Sequence, residues 1–541
     1  MNLFQFPVRL TLIFAIFFNL LAWQIIVPIW HFPDEQAHFG QVAFRAEHGR
    51  SQAYHELSTN SEIAISEELL KTKRDAFGNN SFTYHPEFKI EYSPTFIGPY
   101  ETQIESLNNV EYRKKEIQEE STRYPPLYYF LASNIYNLFG ESDLFARVYA
   151  VRFLSVLIFT AISLAVFLVS KQIFPKSRFL QISLISMIVF MPMFVFSVSG
   201  VTSDGLFILL FMLSLYLIAK PLYTKLGTKD SFLLLALIIA GISTKFQFQI
   251  IWLPLFYVIF VLFIKMETRK KLFLFAKTVI VLPLFLIAVN FLYYYVNGYG
   301  NPNLKQLLRL PIIPDITEVS DVQINLTFID YLQNTFARMI REVLPWYFGV
   351  FKWLSLTLPP IFYKIINRLL ILSFIGLLIW LVKLVRQKKP KLGQEVKLIS
   401  FHAFTSAAYF SALVIFDWFF INKHGFPFGI QGRYFFPTII AHVGLVFVGL
   451  LVLFPKSFKK WAAAVLVIGV VVFNYFSLFW VASHYYDLGS FNTFITQASQ
   501  YKPEIFKGTA ILLILSMSLL SSAFYISKYL IVVLRTNQVE V

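Results

Sequence analysis

The hexapeptide Pro33-Asp34-Glu35-Gln36-Ala37-His38 follows directly on the first long apolar run, so two adjacent carboxylates and an imidazole stand where hydrocarbon meets water. Such groups accept protons from an attacking hydroxyl or hold a cation. Pro33 suits the first turn of a helix, and a helix through Asp34 sets Glu35, Asp34 and His38 on one face at i, i+3 and i+4 spacings. The competing reading makes Asp34 a helix cap and His38 an interfacial anchor. It leaves Glu35 unexplained, because two neighbouring carboxylates bordering hydrocarbon are costly without a partner.

Other charged residues stand at similar places. Asp204 closes Ser199-Gly200-Val201-Thr202-Ser203-Asp204-Gly205 between two apolar runs, either as a second acid or as the cap of the next helix. Arg433 lies in Gly429-Ile430-Gln431-Gly432-Arg433-Tyr434-Phe435-Phe436-Pro437 at the start of a run. A cation there opposes the helix dipole, so an anion is expected beside it. Snorkelling to lipid headgroups is the alternative. Arg123, Arg147, Arg152 and Lys423 are weaker versions of the same case, and His424 reads as structural. Trp346-Tyr347-Phe348-Gly349-Val350-Phe351-Lys352-Trp353 fits an interfacial aromatic belt or, through Trp346, Phe348 and Trp353, the entrance for a substrate that stacks on rings. A Gly-rich nucleotide loop, zinc-spaced His/Cys sets and a Gly-x-Ser-x-Gly elbow are all lacking, which argues against a nucleotide donor.

These residues need a scaffold, and composition dictates its kind. Of 541 residues 57% are hydrophobic and 14% charged, with a mean hydropathy of +0.61, so the chain reads as one all-α polytopic membrane domain. The formal net charge of +16 fits basic loops between spans, and no nucleic acid is expected. Absence of cysteine rules out disulfides and thiolate chemistry. Uncharged runs at 10–30, 153–170, 179–197, 205–219, 231–244, 246–264, 278–296, 369–382, 398–416, 434–454, 461–483 and 508–527 predict about twelve spans. The first is read as a retained helix, since it is too long for a signal core and lacks a small-residue cleavage site.

Loop charge sets the orientation. With both termini in the cytoplasm, the basic connections at 171–178, 220–229, 269–271, 386–391 and 456–460 all fall inside. Segments 31–146, 297–368 and 417–433 then face outward, the first being a large loop with interfacial helices. Its stretch from Tyr124 to Phe139 is short for a crossing and rich in tyrosine, as a helix in the interface plane would be. The stretch 205–264 is the least regular, with short runs interrupted by Lys245.

Taken in order, Pro33 to His38 with Phe39, Tyr124 to Tyr129 with its Pro-Pro-Leu, Ala146-Arg147 with Arg152-Phe153-Leu154-Ser155, and the Asp204 loop resemble the GT-C superfamily of multi-spanning glycosyltransferases. The closer resemblance is to a bacterial membrane family with a domain of unknown function, marked by Pro-Asp-Glu-x-x-His-Phe, the 346–353 aromatic segment and a late Gly-x-Gln-Gly-Arg-Tyr-x-x-Pro. The protein mannosyltransferase and aminoarabinose transferase group is more distant. A lysine precedes Pro-Pro in some aminoarabinose transferases; here Tyr124 stands there, with Arg123 beside it.

The resemblance implies transfer of a sugar, with inversion, from a polyprenyl-phosphate donor to an envelope glycan, lipid or protein acceptor on the outer face of a bacterial cytoplasmic membrane. Asp34 would be the catalytic base, with Glu35 and Asp204 as further acidic residues. Arg433, Arg123 and Arg147 would bind the donor phosphate, and His38 would orient the acceptor or help hold a divalent cation. A flippase for lipid-linked saccharides or a non-catalytic membrane partner are the other readings. A transporter would be expected to carry ionisable groups deep within its spans.

Overall fold

The structure, a computed structural model, describes residues 6–52, 58–75, 78–117, 124–264, 287, 290–291, 324–386 and 393–537. In hydrocarbon every backbone N–H and C=O needs an internal partner, which a helix supplies. Among the described residues nine helices are long and apolar enough to cross: Val8–Ile26, Leu144–Ile173, Asp204–Leu222, Phe246–Ile264, Pro360–Val385, Gln394–His424, Gly432–Val452, Lys459–Tyr485 and Thr509–Arg535. Arg178–Val189 and Pro192–Ser199 make a tenth if taken as one span bent by 60°. Pro192 at the break lacks the N–H that would continue the first helix.

Two of the twelve expected runs are not among these helices. The 278–296 run lies almost wholly outside the described residues. The 231–244 run forms Thr228–Ile242, a helix of 15 residues, or about 22 Å at 1.5 Å per residue, which leads back from the end of Asp204–Leu222 to Lys245 beside Asp204.

Polar side chains join helices that composition alone would leave greasy. In α1 (Phe6–Ile26), Trp23 donates to Asn474 Oδ1 at 3.2 Å, and Asn474 Nδ2 donates to Asn19 at 2.7 Å. The Ser183 and Tyr529 hydroxyls bond at 2.7 Å, and Ser186 pairs with Tyr525 in the same way. Pro360–Val385 crosses Ile439–Val452 so closely that a Cβ on Gly376 would collide with the Gly449 backbone and one on Gly449 with Ser373.

Over one end of the bundle lies a layer built from the first long loop. It contains α2 (Glu35–His48), α3 (Ser61–Leu69), the helix Leu127–Leu138 and a two-stranded antiparallel pair, β1 (Thr59–Asn60) with β2 (Glu116–Ile117). At 12 residues, Leu127–Leu138 is too short to span, and it buries Tyr128, Tyr129 and Tyr136 against this layer. The C-terminal region locks the layer in place. Gln500 donates to the Ser93 and Thr95 carbonyls at 2.8 and 2.7 Å, Tyr501 N–H donates to Glu101 at 2.9 Å, and Lys507 pairs with Glu101 at 2.9 Å.

Candidate active site

The turn between α1 and α2 decides where the two adjacent carboxylates go. Helix α2 begins at Glu35 rather than at Pro33, and Asp34 takes a left-handed conformation (φ 55°) that aspartate tolerates better than most residues. Its side chain caps nothing. The two acids therefore separate instead of sharing a face.

Glu35 turns inward and is completely buried. Its Oε1 accepts from Arg152 Nε at 2.8 Å and Val201 N at 3.1 Å, while Oε2 accepts from Arg152 Nη2 at 2.6 Å and Trp30 N at 3.0 Å. Arg152 spends its remaining donors on the Gln24, Val27 and Pro28 carbonyls at 3.0, 3.0 and 2.9 Å, in the last turn of α1 and just beyond it. Expected as a reacting acid, Glu35 is instead a saturated anchor that joins α1, Leu144–Ile173 and the Gly200 loop.

Asp34 faces the other way, with its side chain one-third exposed at 33%. Oδ2 accepts from Arg433 Nη2 at 2.6 Å and Oδ1 from Arg74 Nη1 at 3.1 Å. Burial alone would raise this carboxyl, but the Arg433 and Arg74 guanidiniums outweigh it and hold the group well below the ordinary carboxylate range. The anion expected beside Arg433 is thus a carboxylate of the protein itself. Arg433 also lies 5.5 Å from the Tyr434 ring centroid.

Asp204 pairs with Lys245, whose ammonium lies 4.6 Å from the Tyr124 ring. The lysine that interrupts the apolar runs is therefore placed in the turn before Phe246–Ile264, beside the start of Asp204–Ala219. His38 stacks on Tyr124 at 5.6 Å and shares a 2.8 Å hydrogen bond between Nδ1 and the Tyr129 hydroxyl. Burial pushes its pKa down to about 3, against the pull of Asp34 and Asp204, so the ring stays neutral. A small, partly open cavity lies among these elements, lined by Asp204, Phe207, Lys245, Gln247, Arg433 and Tyr434 among others.

The two late motifs meet each other. Gly432 packs against the backbone of Trp346 and Tyr347, where a Cβ would collide with Tyr347 N. Beyond this contact β3 (Val350–Phe351) and β4 (Leu356–Thr357) form a hairpin. Its turn residues Lys352, Trp353 and Leu354 all have positive φ, at 49°, 50° and 62°. That turn sends the Trp353 indole N–H to the Trp30 carbonyl at 2.9 Å and places its ring 6.0 Å from the Arg74 guanidinium. Trp346 and Phe348 are half-buried nearby in sequence, Phe348 against Tyr347.

One predicted phosphate ligand is not in this pocket. Arg147 is fully buried and spent on Glu62, Tyr136 and the Ser142 and Asp143 carbonyls, because its helix passes beneath the loop layer. Arg123 lies outside the described residues. Besides Arg433, the cations found here are Arg74 and Lys245. Lys245 carried a signal, a lysine between hydrophobic runs; Arg74, in a polar loop, carried none. Among the described residues no group of three or more His, Cys, Asp or Glu side chains could hold a metal. Asp34 and Asp204 each already face cations, which would repel a divalent ion.

Residues 17–442 match the model of the family DUF2142, described as a predicted membrane protein. The chain belongs to this family. Among solved structures it is similar to ArnT from Cupriavidus metallidurans. The apo form is 11% identical with a TM-score of 0.38, covering 89% of this chain and 74% of that one. The form bound to undecaprenyl phosphate is 12% identical with a TM-score of 0.40, covering 95% and 78%. No curated protein matches the chain.

Proposed function

We propose that the chain is a membrane glycosyltransferase of the GT-C kind that moves a sugar from a polyprenyl-phosphate donor to an acceptor hydroxyl, with inversion. The observation that carries this reading is the meeting of Asp34, Arg433 and Arg74 beside the cavity that holds the Asp204–Lys245 pair. A partly exposed carboxylate held by two guanidiniums, with the Lys245 ammonium in the adjoining cavity, suits a reaction that removes a proton and releases a phosphate.

In that reaction the acceptor oxygen attacks the anomeric carbon as Asp34 takes its proton. The bond from that carbon to the phosphate oxygen breaks, and polyprenyl phosphate leaves as a monoester whose growing charge Arg433 and Lys245 offset. Asp204 holds Lys245 in place, neutral His38 orients the acceptor, and Trp353, with Trp346 and Phe348, borders the entrance. In this reading the basic connections lie in the cytoplasm together with both termini, and the pocket faces the outer side of a bacterial cytoplasmic membrane.

The test is to reconstitute the purified chain with lipid-linked saccharides extracted from the source cells. Release of polyprenyl phosphate together with a glycosylated product supports the reading. Recovery of intact donor on the opposite leaflet would show a flippase, and an untouched donor a non-catalytic partner; either overturns it.

A further inference from the structure

The arginine fork beside Asp34 is only half used. A guanidinium presents Nε and one Nη as parallel donors that fit two oxygens of a carboxylate or phosphate. Arg152 uses both on Glu35, at 2.8 and 2.6 Å. Arg433 gives Asp34 only Nη2, and its Nε is buried without a partner. A buried N–H left unpaired is costly, so this fork is built for a ligand other than the one it now holds. Asp34 has a second hold in Arg74, whereas the Arg433 side chain also lines the cavity.

Resting on the glycosyl-transfer reading, we infer that the donor phosphate exchanges partners with Asp34: it takes the Nε and Nη2 edge of Arg433 and leaves the Asp34 carboxylate on Arg74 alone. The consequence is order. While Arg433 and Arg74 both hold it, Asp34 is a very weak base. Losing one guanidinium leaves burial less opposed and raises its affinity for a proton. The base is therefore armed only when the donor is in place, and an acceptor arriving first meets an inactive carboxylate. No bond is made or broken in this step; one ion pair replaces another.

A double-mutant cycle on undecaprenyl phosphate binding to the purified chain in nanodiscs tests the exchange. Asp34→Asn removes the competitor for Arg433 and should bind the lipid about tenfold more tightly than wild type, or about 1.4 kcal/mol. Arg433→Gln should bind about tenfold more weakly, and the double variant no better than Arg433→Gln alone. Equal or weaker binding by Asp34→Asn overturns the exchange while leaving the transferase reading intact. The same holds if the gain persists in the Arg433→Gln background, since loss of a nearby negative charge would then explain it. Binding by none of the proteins overturns both. Asp34→Ala gives the same comparison if Asp34→Asn does not fold.

Discussion

Asp34 and Glu35 are chemically alike and adjacent, yet they have opposite situations. Glu35 has four donors on its two oxygens and no exposure. Asp34 has one guanidinium contact on each oxygen and reaches solvent. A saturated buried ion pair gains its worth by fixing geometry, and its charge is unavailable for anything else. An open pair with an unused donor keeps its charge available. The left-handed turn at Asp34 is what allows one dipeptide to supply both.

The largest expected break in this comparison comes from Glu35→Gln, or from Arg152→Met on the other side. Either leaves one partner of a buried pair uncompensated, at a cost of about 3–5 kcal/mol. Thermal unfolding in detergent should show a steep fall in Tm or no folded protein, and a native Tm would remove Glu35 from its anchoring role. Gly432→Ala comes next. Its methyl group meets backbone at Tyr347 and overpacking of this kind costs about 1–3 kcal/mol. The same assay should record a drop, with Arg433 displaced and polyprenyl phosphate binding weakened alongside.

Lys245→Met sharpens the contrast from the cavity side. It leaves Asp204 without its partner, but that carboxylate lines a cavity and is 11% exposed rather than sealed. The expected Tm loss is smaller than for Glu35→Gln, accompanied by weaker binding of polyprenyl phosphate. An equal loss would place Asp204–Lys245 with the anchors. The smallest effect is on pH. His38 has a pKa of about 3 in the fold and about 6.5 when unfolded, so between those values the unfolded chain binds the extra proton. Its contribution is complete above the unfolded value and declines as pH falls toward 3. Tm should therefore fall from pH 7 to pH 5, with a shallower slope in His38→Gln; an unchanged slope would contradict the buried neutral ring.

Much of this was legible in the chain. Apolar runs mark the crossing helices because hydrocarbon tolerates little else, and the order of Asp34, Asp204 and Arg433 along those runs pointed to one end of the molecule. The division of labour between Asp34 and Glu35 was hidden, because it depends on Arg152, 117 positions from Glu35, and on Arg433, 399 positions from Asp34. Ion pairs at such separations leave no periodicity. Arg147 misled for the same reason: from sequence its depth resembled that of Arg152, and only its pairing with Glu62 shows that it belongs to the loop layer. Arg74 sits among polar residues where an arginine has no distinguishing surroundings.

The most direct measurement is turnover of a polyprenyl-phosphate-linked sugar by purified Asp34→Asn beside wild type, with Tm recorded on the same samples. Release of polyprenyl phosphate should be abolished while the variant unfolds close to the wild-type temperature, since the Asp34 side chain is partly exposed and the isosteric amide keeps an oxygen that can accept from a guanidinium. Turnover at the wild-type rate by folded Asp34→Asn would contradict the assignment of Asp34 as the reacting carboxylate.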